Sequence, residues 1–234
     1  MILVFDLDDT LYNELTFVKS GFQAVARFLE EKCAIPAEAG FDYLWRELPK
    51  GRGRLFDQLL HEYGLYSQKL VAACVAVYRR HVPVIKLDPD AKACLERFAA
   101  VPKYLVTDGN KVVQRSKIKA LRLESQFRHC LVTHCYGVKH AKPSPYCFLK
   151  ICERERVRPA QVIYIGDNPH KDFVGIKPLG FRTVRVMKGL HKTVEKPPEY
   201  EAEIRIASLE ELTEEFLDEL EIRPRHEAEV AFSC

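Results

Sequence analysis

Residues 2–10 read Ile2-Leu3-Val4-Phe5-Asp6-Leu7-Asp8-Asp9-Thr10, four apolar residues running straight into three acids within four positions. A short, near-continuous apolar run suits a strand buried on both faces of a parallel sheet. The acids that follow repel one another and must stay hydrated or be neutralised by a cation. In open α/β sheets, ligands bind outside the carboxyl ends of the strands, and this cluster falls there. Standing alone, an acidic turn at the surface would explain the stretch as well.

Five more apolar runs follow: Tyr104–Thr107, Cys130–Thr133, Val162–Ile165, Thr183–Val186 and Ile204–Ile206. They alternate with helical patterns, which predicts an α/β fold with a parallel sheet between two helical layers, a three-layer Rossmann-like core. About a hundred residues separate the first two runs, where a βαβ crossover needs a few dozen. The excess carries apolar residues at helical spacing: Phe17, Gly21, Val25, Phe28 and Leu29, then Leu55, Leu59 and Leu60, then Leu70, Val71, Cys74, Val75 and Tyr78. The sequence therefore predicts an all-helical insertion over 13–87. The core is expected over 1–12 and 88–222, and a loose tail over 223–234. Ser208-Leu209-Glu210-Glu211 reads as a capping box opening a last helix that runs to about Leu220.

Composition narrows the class. With 47% hydrophobic and 29% charged residues over 234 positions, the chain is an ordinary globule and not a disordered one. Its longest apolar run, Leu70 to Tyr78, is about half a membrane span, so no membrane partner is expected. Met1 leads directly into the first strand without a basic, apolar leader, and eight cysteines occur with no C-x-x-C pair. That pattern points to a cytoplasmic protein with reduced thiols. Cys130, His134, Cys135, Cys147 and Cys152 have spacings seen in some metal pairs. Their flanks read as strand and helix interior, which favours core cysteines over zinc ligands. Glu199 to Glu221 carries a net −9 and the tail is balanced, so residues 1–198 hold +12 of a chain whose total is +3. A basic body suits an anionic ligand, and the whole-chain balance makes no case for nucleic acid.

Three further strand ends carry polar equipment. One is Thr107-Asp108-Gly109-Asn110, a hydroxyl and a glycine turn opening a helix whose N-terminal amides can hold an anion. The second is Lys142-Pro143-Ser144-Pro145, a lysine just before a proline-started helix. The third is Gly166-Asp167 with Asp172 five positions on. Each has a bland explanation as a cap, a solvated charge or a helix-end acid, but four in one chain at successive strand ends point to phosphoryl transfer. A carboxylate can attack phosphorus, and several acids without His or Cys favour Mg²⁺ over Zn²⁺. A lysine and a hydroxyl then hold the remaining phosphate oxygens.

In order and spacing these four segments resemble the motifs of the haloacid dehalogenase superfamily, with the helical insertion where that superfamily places its α-helical cap. The resemblance implies Asp6 as nucleophile and metal ligand. It implies Asp8 as general acid/base, with its main-chain carbonyl facing the metal. Thr107 and Lys142 would orient the phosphate, aided by the backbone amides of Asp108 and Gly109. Asp167 would ligate the metal directly, and Asp172 through water or by fixing Lys142. Asp9 reads as turn chemistry. A leaving alkoxide needs the proton that Asp8 can give and a halide does not, so the resemblance favours the phosphatase branch. The implied activity is Mg²⁺-dependent hydrolysis of a small phosphorylated metabolite such as a nucleotide or sugar phosphate. A phosphomutase, or a non-catalytic member that binds a phosphate ligand, are the alternatives. Arg52 and Arg54, in a Gly-rich loop of the insertion, are the specificity candidates, against a plain solvated basic loop. Pro178 is expected to end or kink the helix after Asp172. The sequence does not indicate an oligomeric state.

Overall fold

Six strands form one parallel sheet in the order β3-β2-β1-β4-β5-β6: β1 (Ile2–Phe5), β2 (Lys103–Thr107), β3 (His129–Val132), β4 (Val162–Gly166), β5 (Arg182–Val186) and β6 (Ile204–Ile206). This computed structural model describes residues 1–222, so the expected tail, 223–234, lies outside the described residues. β1 sits between β2 and β4, and the strand order reverses direction there, which opens a crevice beyond its carboxyl end. All four residues of β1 are buried, as are all five of β2, β4 and β5.

Alternate residues of the strands feed two cores. Leu3, Phe5, Leu105, Ile163, Ile165, Val184 and Val186 point to one face, which α5 (Pro89–Arg97), α6 (Lys111–Ala120) and α8 (Glu214–Ile222) help cover. Ile2, Val4, Tyr104, Val106, Val162 and Tyr164 point to the other, against α7 (Tyr146–Glu155), Phe173 and Phe181. Two buried faces explain why these strands read as continuous apolar runs instead of alternating ones.

Between β1 and β2 lie α1 (Glu14–Cys33), α2 (Ala37–Glu47), α3 (Leu55–Glu62) and α4 (Gln68–Arg80), followed by α5. Asn13 caps α1 by accepting from the Leu15 amide, and Val18, Phe22, Val25 and Leu29 recur on its inner stripe. They build a third core with Ile35, Leu44, Leu55, Leu59, Leu60 and Cys74. The chain leaves and re-enters the sheet region at adjoining points, where the Asp88 amide donates to the Leu11 carbonyl at 3.0 Å.

Two local expectations change. The capping box at Ser208 opens only a short 3-10 turn, Leu209–Glu211, and α8 begins separately at Glu214. Asp90 holds that turn by accepting from the Ser208 hydroxyl and the Leu209 amide. After Asp172 there is no α-helix: turns lead to a 3-10 turn at Lys177–Leu179 that contains Pro178. Gly175 accounts for the tight path, because a Cβ on it would lie 1.7 Å from the Pro143 carbonyl oxygen.

Candidate active site

The carboxyl ends of β1, β2 and β4, together with the loop before α7, converge on the crevice. Asp6 extends β1, and its buried carboxylate accepts from the Lys142 ammonium at 2.8 Å. That ammonium also lies 2.7 Å from Asp172 and donates to the Tyr164 hydroxyl at 2.8 Å. Tyr164 in turn donates to Asp172, whose other oxygen accepts from the Asn168 amide. Lys142 is thus locked by a ring of partners, and its acidic neighbours outweigh burial and hold its pKa well above the usual value.

Asp167 completes a buried acidic trio. Asp6, Asp167 and Asp172 each offer an oxygen within 4.8 Å of the others, the only such metal-ligand grouping among the described residues. Burial, against the pull of Lys142, raises the Asp6 carboxyl to about 7. Burial and the charges of Asp172 and Asp6 raise Asp167 to about 9. Three carboxyl groups crowded this closely resist ionising together unless a cation neutralises them, and an all-oxygen donor set fits a hard dication. Arg185, fully buried, donates to the Asp167 carbonyl at 3.2 Å and to Glu201, tying the end of β4 to β5.

Asp8 turns its side chain the other way. It accepts from Lys117 at 2.7 Å, from Gln114 at 2.9 Å and from the Tyr12 hydroxyl at 2.5 Å. Burial would raise its pKa, but the Lys117 charge and these three donors hold it below the usual value. Gln114 donates also to the Thr107 hydroxyl at 2.6 Å, so α6 links the first and second motifs. Asn110 makes this possible by capping α6, accepting from the Val112 and Val113 amides. Asp108 braces the third motif: it accepts from the Lys142 backbone amide, the Thr133 hydroxyl and the Lys171 ammonium. Asp9 accepts from the Glu14 and Leu190 amides, clamping the first motif to both segments at the mouth.

Two cavities meet at Asp8. One, of about 330 Å³, is lined by Asp6, Asp8, Thr107, Asp108, Asp167 and Lys171 among others. The second, of about 420 Å³, extends between α1, α3, α4 and the start of α6. Arg52 lines both and is paired with Glu14 at 2.8 Å, whereas Arg54 and Gly109 line only the second. The motif residues are therefore brought together. Of Arg52 and Arg54, the first is already engaged by an acid.

Lys117, Gln114, Tyr12, Glu14 and Tyr164 escaped the sequence reading. A signal for two of them exists: Gln114, Lys117, Ile118 and Leu121 follow i, i+3, i+4, i+7, so two polar residues occupy a core-facing stripe. Both are buried. The cysteine and histidine group forms no such ligand set among the described residues: Cys147 and Cys152 are buried, while Cys135 is exposed.

The chain is similar to known proteins over most of its length. The chain is 31% identical over 221 residues to a glyceraldehyde 3-phosphate phosphatase of Methanocaldococcus jannaschii, covering 91% of this chain and 95% of that protein. It is 29% identical over 222 residues to the enzyme of the same name from Pyrococcus furiosus, covering 91% of each. A crystal structure of a 2-haloacid dehalogenase from Pseudomonas syringae pv. Tomato superposes with a TM-score of 0.62 at 22% identity, over 90% of this chain and 95% of that one. That likeness concerns the fold alone, which hosts more than one reaction. The description "haloacid dehalogenase-like hydrolase" fits residues 1–180, and the chain belongs to that family.

Proposed function

We propose that the chain is a Mg²⁺-dependent phosphomonoester hydrolase acting on a small phosphorylated metabolite through an aspartyl-phosphate on Asp6. The observation that carries this reading is the Asp6–Lys142–Asp172 group beside Asp167, four side chains from three separate segments, with Asp6 and Asp167 lining the charged cavity. Asp6, Asp167 and Asp172 would hold the dication, which neutralises the carboxylates and the phosphate charge when bound.

Asp6 attacks phosphorus and the bond to the leaving oxygen breaks. Asp8 gives that oxygen a proton, so an alcohol departs and not an alkoxide. Lys117 keeps Asp8 ionised in the free site, so the proton arrives with the substrate: a phosphomonoester loses its second proton near pH 6, and its monoanion carries one in. Water then attacks the aspartyl-phosphate, Asp8 takes its proton, and Asp6 is regenerated. Lys142, Thr107 and the amides of Asp108 and Gly109 would serve as donors for the non-bridging oxygens. Residues 13–87 serve in this reading as a cap whose two ends meet where the Asp88 amide donates to the Leu11 carbonyl.

The test is hydrolysis of p-nitrophenyl phosphate. It should require Mg²⁺, stop with chelator and fall to background in Asp6→Asn. Full activity in Asp6→Asn would remove the proposal.

A further inference from the structure

Asp9 follows Asp8 in the first motif but takes no part in the phosphoryl chemistry itself. We infer that Asp9 and Lys188 are positioning residues that hold the helical insertion in place over the charged cavity, acting through the segment 187–191 that follows β5. The inference rests on the phosphatase reading and deepens it.

Backbone conformation does not explain Asp9. Its φ of 54° lies in the left-handed region, which glycine adopts without steric cost. An aspartate there adds a buried carboxylate to a wall that already holds Asp6 and Asp167. The addition is unfavourable: burial, Asp172 and Asp6 raise the Asp167 carboxyl, and the Asp9 charge raises it further. What the carboxylate does is join two segments. One oxygen accepts from the Glu14 amide at 2.9 Å, where α1 and the insertion begin, and the other accepts from the Leu190 amide at 3.0 Å. Gly189 permits this approach, because a Cβ on it would lie 2.1 Å from the Asp9 carboxyl carbon.

Lys188 holds the other end of the insertion. Its ammonium lies 3.2 Å from Asp88 and 2.6 Å from Asp90, where the chain returns into α5. The segment is itself fixed to the sheet. Met187 donates its amide to the Ile206 carbonyl at 2.8 Å, and Arg185 donates to the His191 carbonyl at 2.6 Å. Leu190 and His191 then line the charged cavity with Asp6 and Asp167. One segment therefore touches both ends of the insertion and forms part of the site wall, so a shift of the insertion is felt at the wall. Hinge residues lie away from the chemistry, and their substitution often changes kcat and KM together.

Amide exchange followed residue by residue, together with kinetics, tests the coupling. Lys188 and Asp88 line neither cavity, so Lys188→Met leaves every residue of the site wall in place. Asp90 keeps the Ser208 hydroxyl and the Leu209 amide as donors, which favours folding of this variant. Lys188→Met should nevertheless speed exchange of the Glu14 and Leu190 amides, which Asp9 holds, by about tenfold, the effect of weakening one charge-assisted hydrogen bond. Conversely, Asp9→Gly suits the backbone and should speed exchange of the Asp88 amide, whose partner is the Leu11 carbonyl. In Lys188→Met, kcat/KM for p-nitrophenyl phosphate should fall about tenfold, within the effect of a sub-ångström displacement of reacting groups, and Lys188→Arg should restore most of it. Should Lys188→Met not fold, Asp88→Ala, which severs only one of its two ion pairs, gives the same readings. Faster exchange confined to the amides beside each substitution, or an unchanged kcat/KM in the folded lysine variant, overturns the inference and leaves the phosphatase reading intact. Failure of the wild type to hydrolyse the ester with Mg²⁺ overturns that reading instead, and the cross-effects on exchange still decide whether the two residues are coupled.

Discussion

Two buried lysines face the crevice from opposite sides, and each neutralises one acid of the first motif. Lys142 grips Asp6 and Asp172 from the loop before α7; Lys117 grips Asp8 from α6 and approaches Glu14 at 3.8 Å. The first belongs to the sheet end, where a cation would sit. The second joins the sheet to α1, and its ammonium lies 4.5 Å from the Phe17 ring centre, at the edge of the second cavity. In the proposed mechanism the difference would be a division of labour: the Lys142 side would hold charge for phosphorus, and the Lys117 side would hold Asp8 for the oxygen that leaves.

Replacing each lysine by methionine is the strongest way to break that comparison. Lys142→Met leaves Asp6, Asp167 and Asp172 without their cation. It should abolish activity and destabilise the metal-free protein by about 3–5 kcal/mol, the cost of stripping a buried pair. Added Mg²⁺ should then raise its melting temperature much more than it raises that of the wild type. Lys117→Met should lower kcat on the order of 10²-fold by loosening the acid/base, with a wild-type thermal response to Mg²⁺. Identical Mg²⁺ responses in the two variants would erase the distinction.

Glycines sharpen it next. A Cβ at Gly175 meets backbone, the Pro143 carbonyl at 1.7 Å, so Gly175→Ala must displace the segment bearing Lys142. We expect a loss at or above the usual overpacking range of about 1–3 kcal/mol, with activity lost as well. At Gly21 in α1 the obstacle is the Tyr78 ring at 2.5 Å, a side chain and not backbone. Gly21→Ala also gains about 1 kcal/mol of helix propensity, so its net cost should be smaller. Urea unfolding of both variants measures the contrast.

Why one side was legible and the other was not follows from the same geometry. Parallel strands announce themselves as apolar runs, and their ends are fixed within a residue or two. Polar residues just after them, such as Asp6, Thr107 and Asp167, fall into the crevice by topology alone. Lys142 was found because its segment shares that regularity. Lys117 and Gln114 reach Asp8 through the rotational phase of α6 and the entry angle of α1, neither of which a motif records. Tyr164 is hidden in the middle of β4, where a tyrosine reads as core. The turn after Asp172 was only half visible: Pro178 signalled an interrupted helix, but the close approach of Gly175 to Pro143 that excludes a helix is a tertiary contact. Arg52 looked like a free cation because nothing in the sequence pairs it with Glu14.

The smallest expected effect is acid sensitivity on the helical side. His81 donates from Nδ1 to the Tyr78 carbonyl at 2.7 Å, and its Nε2 lies 2.8 Å from the Ser20 hydroxyl. Burial lowers its pKa. The unfolded chain therefore takes up a proton near pH 6.5 while the folded one resists, so stability held above that pH declines as pH falls through it. His81→Gln should flatten this part of the pH profile in urea melts, and an unchanged profile would show that other groups cause it.

The central claim is that Asp6 accepts the phosphoryl group. Rapid acid quench during turnover of a radiolabelled phosphomonoester, followed by peptide mapping, tests it most directly. The account predicts acid-stable, base-labile label on the peptide containing Asp6, present with Mg²⁺ and absent in Asp6→Asn. Turnover at full rate with label on no peptide, or on another one, would contradict it.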